Sequence, residues 1–276
     1  MRSAYVSRMI TAVLITFGLG HFVVSAQRAP QRRSKGVLLE NLTWVEAKDR
    51  LSANTVVVIA LGAAAKEHGP HLKLATDWIM AEYFKRRVME RADVVVAPTV
   101  NYHFYPAFVN YPGSTSLRQD TARDLIIDIC RTLAAHGPKR FYVLNTGVST
   151  QTPLKAAQAL LALDGILLRF TDILAVADSV VKAVSEQREG THADEIETSM
   201  MLYIAPDTVD MTKATKDFPI GTGAWTPVKS STGNYSASGI YGDATLATRA
   251  KGEKVVEATI AGILKDIEEL RSLRRP

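Results

Sequence analysis

The sequence predicts an α/β fold made as one large domain. Three apolar, β-branched or aromatic runs carry that expectation: Thr55 to Ala60, Asp93 to Pro98, and Phe141 to Leu144. Each is followed by a longer stretch with helical periodicity, and strands alternating with helices make an α/β sheet protein. The 276 residues suffice for one such domain with a sizeable core. No internal repeat and no domain boundary interrupts the pattern.

Taken in order, Leu42 to Leu51 reads as the first helix, with Thr43 as N-cap and Glu46 three residues on, the spacing of a capping box. The strand at 55–61 leads into a small-residue loop and then a helix at 78–91, whose apolar side carries Met80, Phe84 and Val88. After the strand at 93–98 comes a long aromatic loop, 101–108, ending in Asn110 to Leu117. A loop of that length inside a domain is functional or packs on a neighbour. Asp120 to His136 is an amphipathic helix closed by Gly137-Pro138. Beyond the third strand, Leu154 to Leu163 reads as helix, and Ile166 to Phe170 with Ile173 to Val176 as further strand. The segment 213–243 is rich in Gly and Ser and reads as a structured lid or an oligomer contact. Ala247 to Leu273 reads as a long terminal helix buried through Val255, Ile260, Ile263, Leu264 and Ile267.

The N-terminus is separate from this pattern. Arg2 and Arg8 precede an uncharged apolar run from Met9 to Val24, and Val24-Ser25-Ala26 resembles a small-residue cleavage site. Residues 1–26 therefore read as a secretory signal peptide, with an uncleaved membrane anchor as the rival reading. Residues 27–36, with Arg28, Arg32, Arg33 and Lys35, read as a basic leader to a domain at 37–276. The expectation is an exported protein, periplasmic or secreted, without stable membrane association after cleavage.

Composition narrows the classes. With 47% hydrophobic and 22% charged residues, the chain is not intrinsically disordered. It lacks a basic stripe with interleaved aromatics, so nucleic acid is not an expected partner. The lone cysteine, Cys130, cannot form an internal disulfide and reads as a small buried hydrophobe.

The chain is organised around the loop that follows the first long strand. It carries Lys66, Glu67, His68, His71 and Asp77, beyond a strand end, where open α/β sheets bind ligands. Imidazole with carboxylate is a donor set for zinc, iron or manganese. A second chemistry-bearing stretch runs from Arg188 to Ser199 and includes Glu189, His192 and Glu197. Helical spacing from Ala193 turns Glu197 back toward His192. His103 in the aromatic loop is a further candidate.

These stretches resemble the creatininase (creatinine amidohydrolase) family. Its first signature runs roughly Gly-Ser-x-Glu-x-His-Gly-x-His-Leu-Pro, then Thr-Asp, and Gly62, His68, Gly69, Pro70, His71, Leu72, Thr76 and Asp77 fall in register. Lys66 stands where the family has its metal-binding Glu, and Lys73 where it has Pro. Pro112 to Leu117 is similar to the family's Pro-Gly-Thr-x-Ser-Leu. At Asn145 to Thr150 the family's Asn-Gly-His-x-x-Asn is altered: Gly147 replaces a metal-binding His, and Ser149 sits where creatininase itself has a Glu ligand. His192 to Ser199 resembles His-Ala-Gly-x-x-Glu-Thr-Ser, with Asp194 for Gly, and Gly239 to Asp243 is similar to a late motif.

The resemblance implies a three-layer α/β/α sandwich, assembly as a homo-oligomer (a hexamer), and hydrolysis of a C–N bond in a small cyclic or linear amide with one or two divalent metals. Carried onto this chain, the first metal loses both private ligands, at Lys66 and Gly147. The second keeps His68 and Asp77, with Glu197 or Glu67 as its carboxylate. One zinc, or manganese or iron, is the expected cofactor. Lys66 is expected to place its ammonium in the vacated position near Asp77. His192 would be the acid or base, with Glu189, His103 and Ser149 lining the substrate position and His71 structural. The alternative is a catalytically inactive relative that binds a small polar ligand or serves as an oligomeric scaffold.

Overall fold

The structure is a computed structural model that describes residues 34–229 and 233–273. The expected signal peptide at 1–26 lies outside the described residues, as does the leader up to residue 33. In chain order the elements are β1 (Val37–Leu38), α1 (Trp44–Arg50), β2 (Val56–Leu61), α2 (Thr76–Arg91), β3 (Val95–Val100), α3 (Gln119–Ala134), β4 (Arg140–Asn145), α4 (Gln151–Leu163), β5 (Leu167–Phe170), α5 (Asp178–Val184), α6 (Glu195–Ile204) and α7 (Arg249–Ser272).

The sheet has the order β1-β3-β2-β4-β5, and every pairing in it is parallel. β2 lies at its centre, with Ile59 opposite Ala97 on one side and Val143 on the other. All six of its residues are buried, which is why the run is apolar without alternation. Val57, Ile59 and Leu61 join a core with Ile126 and Cys130 of α3 and Leu154 and Leu161 of α4. Val56 and Val58 join the opposite core, with Phe84 of α2, Met201 of α6 and Ile260 of α7. Helices thus cover both faces, and the molecule is the expected α/β/α sandwich.

Thr43 and Glu46 form the expected capping box at α1. One expectation fails. Ile173 to Val176 is a turn, not a strand. The Asp172 carbonyl accepts the N–H groups of Ala175 and Val176, and Asp172 Oδ1 accepts that of Leu174. Local acceptors win over the apolar run's strand tendency. The short helix α5 that follows was not expected.

The segment 213–243 is built of two-residue strands: β6 (Lys216–Asp217), β7 (Ile220–Gly221), β8 (Trp225–Thr226), β9 (Asn234–Tyr235) and β10 (Gly242–Asp243). β7, β9 and β8 form a small sheet that carries Trp225 to the candidate site. Among the described residues no helix is long and apolar enough to cross a membrane.

Candidate functional site

The loop leaving β2 is held tightly against the start of α2. The Lys66 N–H donates to the Leu74 carbonyl and the Trp78 N–H to that of Ala63. A Cβ at Gly62 would lie 2.3 Å from the Asp77 carbonyl oxygen, so only glycine permits this approach. The fold-back carries Lys66, Glu67 and His68 to Asp77, the second residue of α2. All four are at least nine-tenths buried.

Lys66 Nζ lies 2.7 Å from Asp77 Oδ2. Burial works against the charge on each group, yet the pair outweighs it: Asp77 lies well below the usual carboxylate range and Lys66 above the usual amine value. The ammonium also sits 5.6 Å from the Tyr105 ring centroid and 5.3 Å from that of Phe108.

The two histidines are fixed through their ring nitrogens. His68 Nδ1 lies 2.9 Å from the Lys66 carbonyl oxygen. His68 Nε2 in turn lies 3.1 Å from Asp77 Oδ1, so both ring nitrogens face oxygens that accept. His192 Nε2 lies 2.9 Å from Glu67 Oε2 and donates to it. One nitrogen of each ring also faces Glu197: His68 Nε2 is 3.7 Å from Glu197 Oε1, and His192 Nδ1 is 3.7 Å from Glu197 Oε2. Donor atoms of His68, His192 and Glu197 all lie within 4.8 Å of one another.

The second half of the site comes from the entry to α6. Asp194 caps that helix by accepting the N–H groups of Ile196 and Glu197. Burial pushes its carboxyl up to about 6. Ala193 takes a left-handed φ of 49°, unusual for a residue with a Cβ, and its N–H donates to Glu197 Oε2 at 2.6 Å. This kink points His192 and Glu197 to the same place.

The cluster opens into a cavity of about 590 Å³ whose wall includes Lys66, Thr146, Ser149, His192, Glu197 and Trp225. Phe108 stacks on His192 at 4.1 Å between centroids, and Trp225 meets it edge-on at 5.8 Å.

The structure thus brings together Lys66, Glu67, His68, Asp77, His192 and Glu197. Glu67 does not join the donor cluster. Its carboxylate is taken by His192 and by the Gly69 N–H, and the hydrogen bond from His192 overcomes burial to keep its pKa low. Asp77 Oδ1 lies 3.1 Å from His68 Nε2, but its other oxygen belongs to Lys66. His103 is fully buried, donates Nε2–H to the Ala122 carbonyl and does not line the cavity. Burial pushes it down to about 4. Ser149 lines the cavity while its hydroxyl donates to the Phe104 carbonyl. Glu189 is exposed at the mouth, where Tyr241 donates to it. His71 is structural as expected, though through Thr198 of α6 at 2.8 Å and not within its own loop. Trp225 and Phe108 were missed as site residues. The aromatic loop signalled Phe108 only in outline, and nothing local signals Trp225.

At Gly147 an added Cβ would lie 3.0 Å from Thr150 Oγ1 and 3.3 Å from Tyr105 Cε1. The space beside it is filled by those two side chains.

A parallel sheet sandwiched by helices, with an imidazole–carboxylate cluster beyond its strand ends, defines an α/β protein with a candidate metal site. The comparisons give the particular one. The creatininase family model, described as creatinine amidohydrolase, matches residues 40–267, and the chain belongs to that family. It is 26% identical to a creatinine amidohydrolase of Pseudomonas putida over 254 residues, 86% of this chain and 98% of the relative. It is 31% identical to a mycofactocin precursor peptide peptidase of Mycolicibacterium smegmatis over 219 residues, 75% of this chain and 82% of that one. A crystal structure of creatininase superposes with a TM-score of 0.72 at 26% identity, covering 87% of this chain and all of the other. Similar creatininase structures include a Zn-Zn type (TM-score 0.71, 26% identity, 87% and 100% covered) and a manganese form (0.70, 25%, 86% and 100%). Membership supports a hydrolase of amide C–N bonds that uses a metal cofactor.

Proposed function

We propose that this protein hydrolyses an amide C–N bond with the help of one divalent cation held by His68, His192 and Glu197. The observation that carries the reading is the orientation of the two histidines. Each has one ring nitrogen tied to a protein acceptor, Lys66 O or Glu67, and the other facing carboxylate oxygen: Asp77 and Glu197 for His68, Glu197 for His192. Metal-binding histidines are fixed by such outer hydrogen bonds. Tetrahedral zinc, with bonds of about 2.1 Å, sets its ligand atoms about 3.4 Å apart, near the 3.7 Å spacings seen here. Two imidazoles and a carboxylate suit catalytic zinc, with manganese or iron as other candidates.

When bound, such a cation acidifies water and polarises a carbonyl. The protein's own groups supply the rest. Lys66 stands in the cavity wall as an ammonium kept charged by Asp77 and fills the place of the family's first metal. It offers positive charge to the oxygen that becomes anionic when the amide carbonyl is attacked. Phe108 and Trp225 flank His192 and limit water around the reacting group. Glu67 acts through His192 as a positioning residue. This differs from the assignment made on sequence, where Asp77 was the ligand and His192 the acid or base.

The same reading has the chain exported through residues 1–26 and assembled as a homo-oligomer, which cell fractionation and light scattering would test. For the chemistry, the test is turnover of a panel of small cyclic and linear amides by the purified protein, before and after chelation. Turnover lost on chelation and restored by zinc or manganese is expected. No turnover of any amide by the metal-loaded protein would leave a ligand-binding or scaffold role in its place.

A further inference from the structure

The cavity is larger than the polar cluster at its entrance requires. Its volume of about 590 Å³ equals the liquid volume of about twenty waters and lies in the range of pockets for drug-sized ligands. Lys66, Thr146, Ser149, His192 and Glu197 line one part. Much of the rest is apolar, with Met80, Ala177, Val181, Ile196, Met200 and Val255 beside the polar Thr259, Ser185 and Gln187; the six apolar residues come from α2, α5, α6, α7 and the turn before α5. Four of these six, Met80, Ala177, Met200 and Val255, are buried members of the main hydrophobic cluster. The cavity thus reaches the core, where an apolar guest would gain contacts with its lining.

We propose that this apolar arm seats an unbranched aliphatic chain attached to the scissile amide, so that the substrate is a medium-chain acyl amide and not a compact polar ring. The proposal rests on the hydrolytic reading above, whose polar cluster fixes where the amide sits. Three features favour an aliphatic chain. The six wall residues include no aromatic ring, since Phe108 and Trp225 stand at His192. Two are methionines, whose unbranched side chains adapt to a flexible guest. The charged Lys182 and Arg188 are mostly exposed at the rim, where they pair with Asp178 and Glu189, and the Asp194 carboxylate is taken by Gln187 and the start of α6, so the charges stay off the apolar wall.

The test is calorimetric titration of the full-length protein with straight-chain primary amides from acetamide to decanamide, with turnover scored separately. Affinity should tighten about fourfold per added methylene until the arm is full, the gain for burying one CH₂ group. Val181→Trp and Ile196→Trp, each checked for a native circular-dichroism melt, should weaken decanamide binding at least tenfold. A dissociation constant that stays flat along the series in the unaltered protein overturns the proposal, as does a slope that survives in both folded variants. The two readings fail separately. Hydrolysis of short amides with a flat series would keep the hydrolase and reject the chain-binding arm. A steep series without turnover would keep the arm and reject the hydrolase.

Discussion

Lys66 Nζ and Asp77 Oδ2 form an ion pair of 2.7 Å in which both side chains are almost fully removed from solvent. Removing one partner leaves the other as an uncompensated buried charge, which costs about 3–5 kcal/mol. Lys66→Met should therefore lower the unfolding free energy by about that amount, measured by urea denaturation at neutral pH. A loss below about 1 kcal/mol, the worth of an exposed pair, would contradict the burial described.

Stability should fall with acid between pH 6.5 and 4, two buried histidines outweighing Asp194, whose raised carboxyl works the other way. Burial pushes His71 and His103 down to about 4 from the ordinary 6.5. Between those values the unfolded chain binds more protons than the folded one, so stability rises with pH. The contribution is complete above pH 6.5 and is lost as pH falls through 4. Each shift is worth about 3 kcal/mol. Urea midpoints measured across this window should decline steadily, and a flat profile would show that these rings are solvated.

Gly239 is a remote control on the cluster. A Cβ there would lie 2.1 Å from Glu67 Oε1, and its φ of +81° already disfavours a side chain. Gly239→Ala should push the Glu67 carboxylate off His192. Loss of such an outer partner weakens metal binding about 10- to 100-fold. Glu67→Ala should match that effect, while Glu67→Gln, which keeps an acceptor oxygen, should lose less. Zinc titration against a competing chelator checks all three.

Much of the fold could be read from local pattern. The buried strand β2 was visible because a central parallel strand is apolar on both faces, and α1 because its capping box is written in Thr43 and Glu46. The first-motif residues and Glu197 were legible through their motifs. What escaped depends on distance in sequence. Glu67 and His192 are 125 positions apart, so nothing local shows that Glu67 serves a histidine instead of a metal. His103 looked like a loop residue, but the loop packs it under Ala122. Trp225 comes to the site on a three-stranded sheet of two-residue strands, too short to leave a periodic signal. Ile173 to Val176 has strand composition, and only Asp172's hydrogen bonds make it a turn.

The most direct measurement is the metal content of the purified protein by mass spectrometry, after loading with zinc or manganese and removal of the excess. The account predicts about one equivalent per chain, lost in His68→Ala and in Glu197→Ala. It is retained in Lys66→Met variants that remain folded. Two equivalents would contradict the claim that Lys66, Tyr105 and Thr150 fill the first position. No bound metal after loading would contradict the assignment of His68, His192 and Glu197 as ligands.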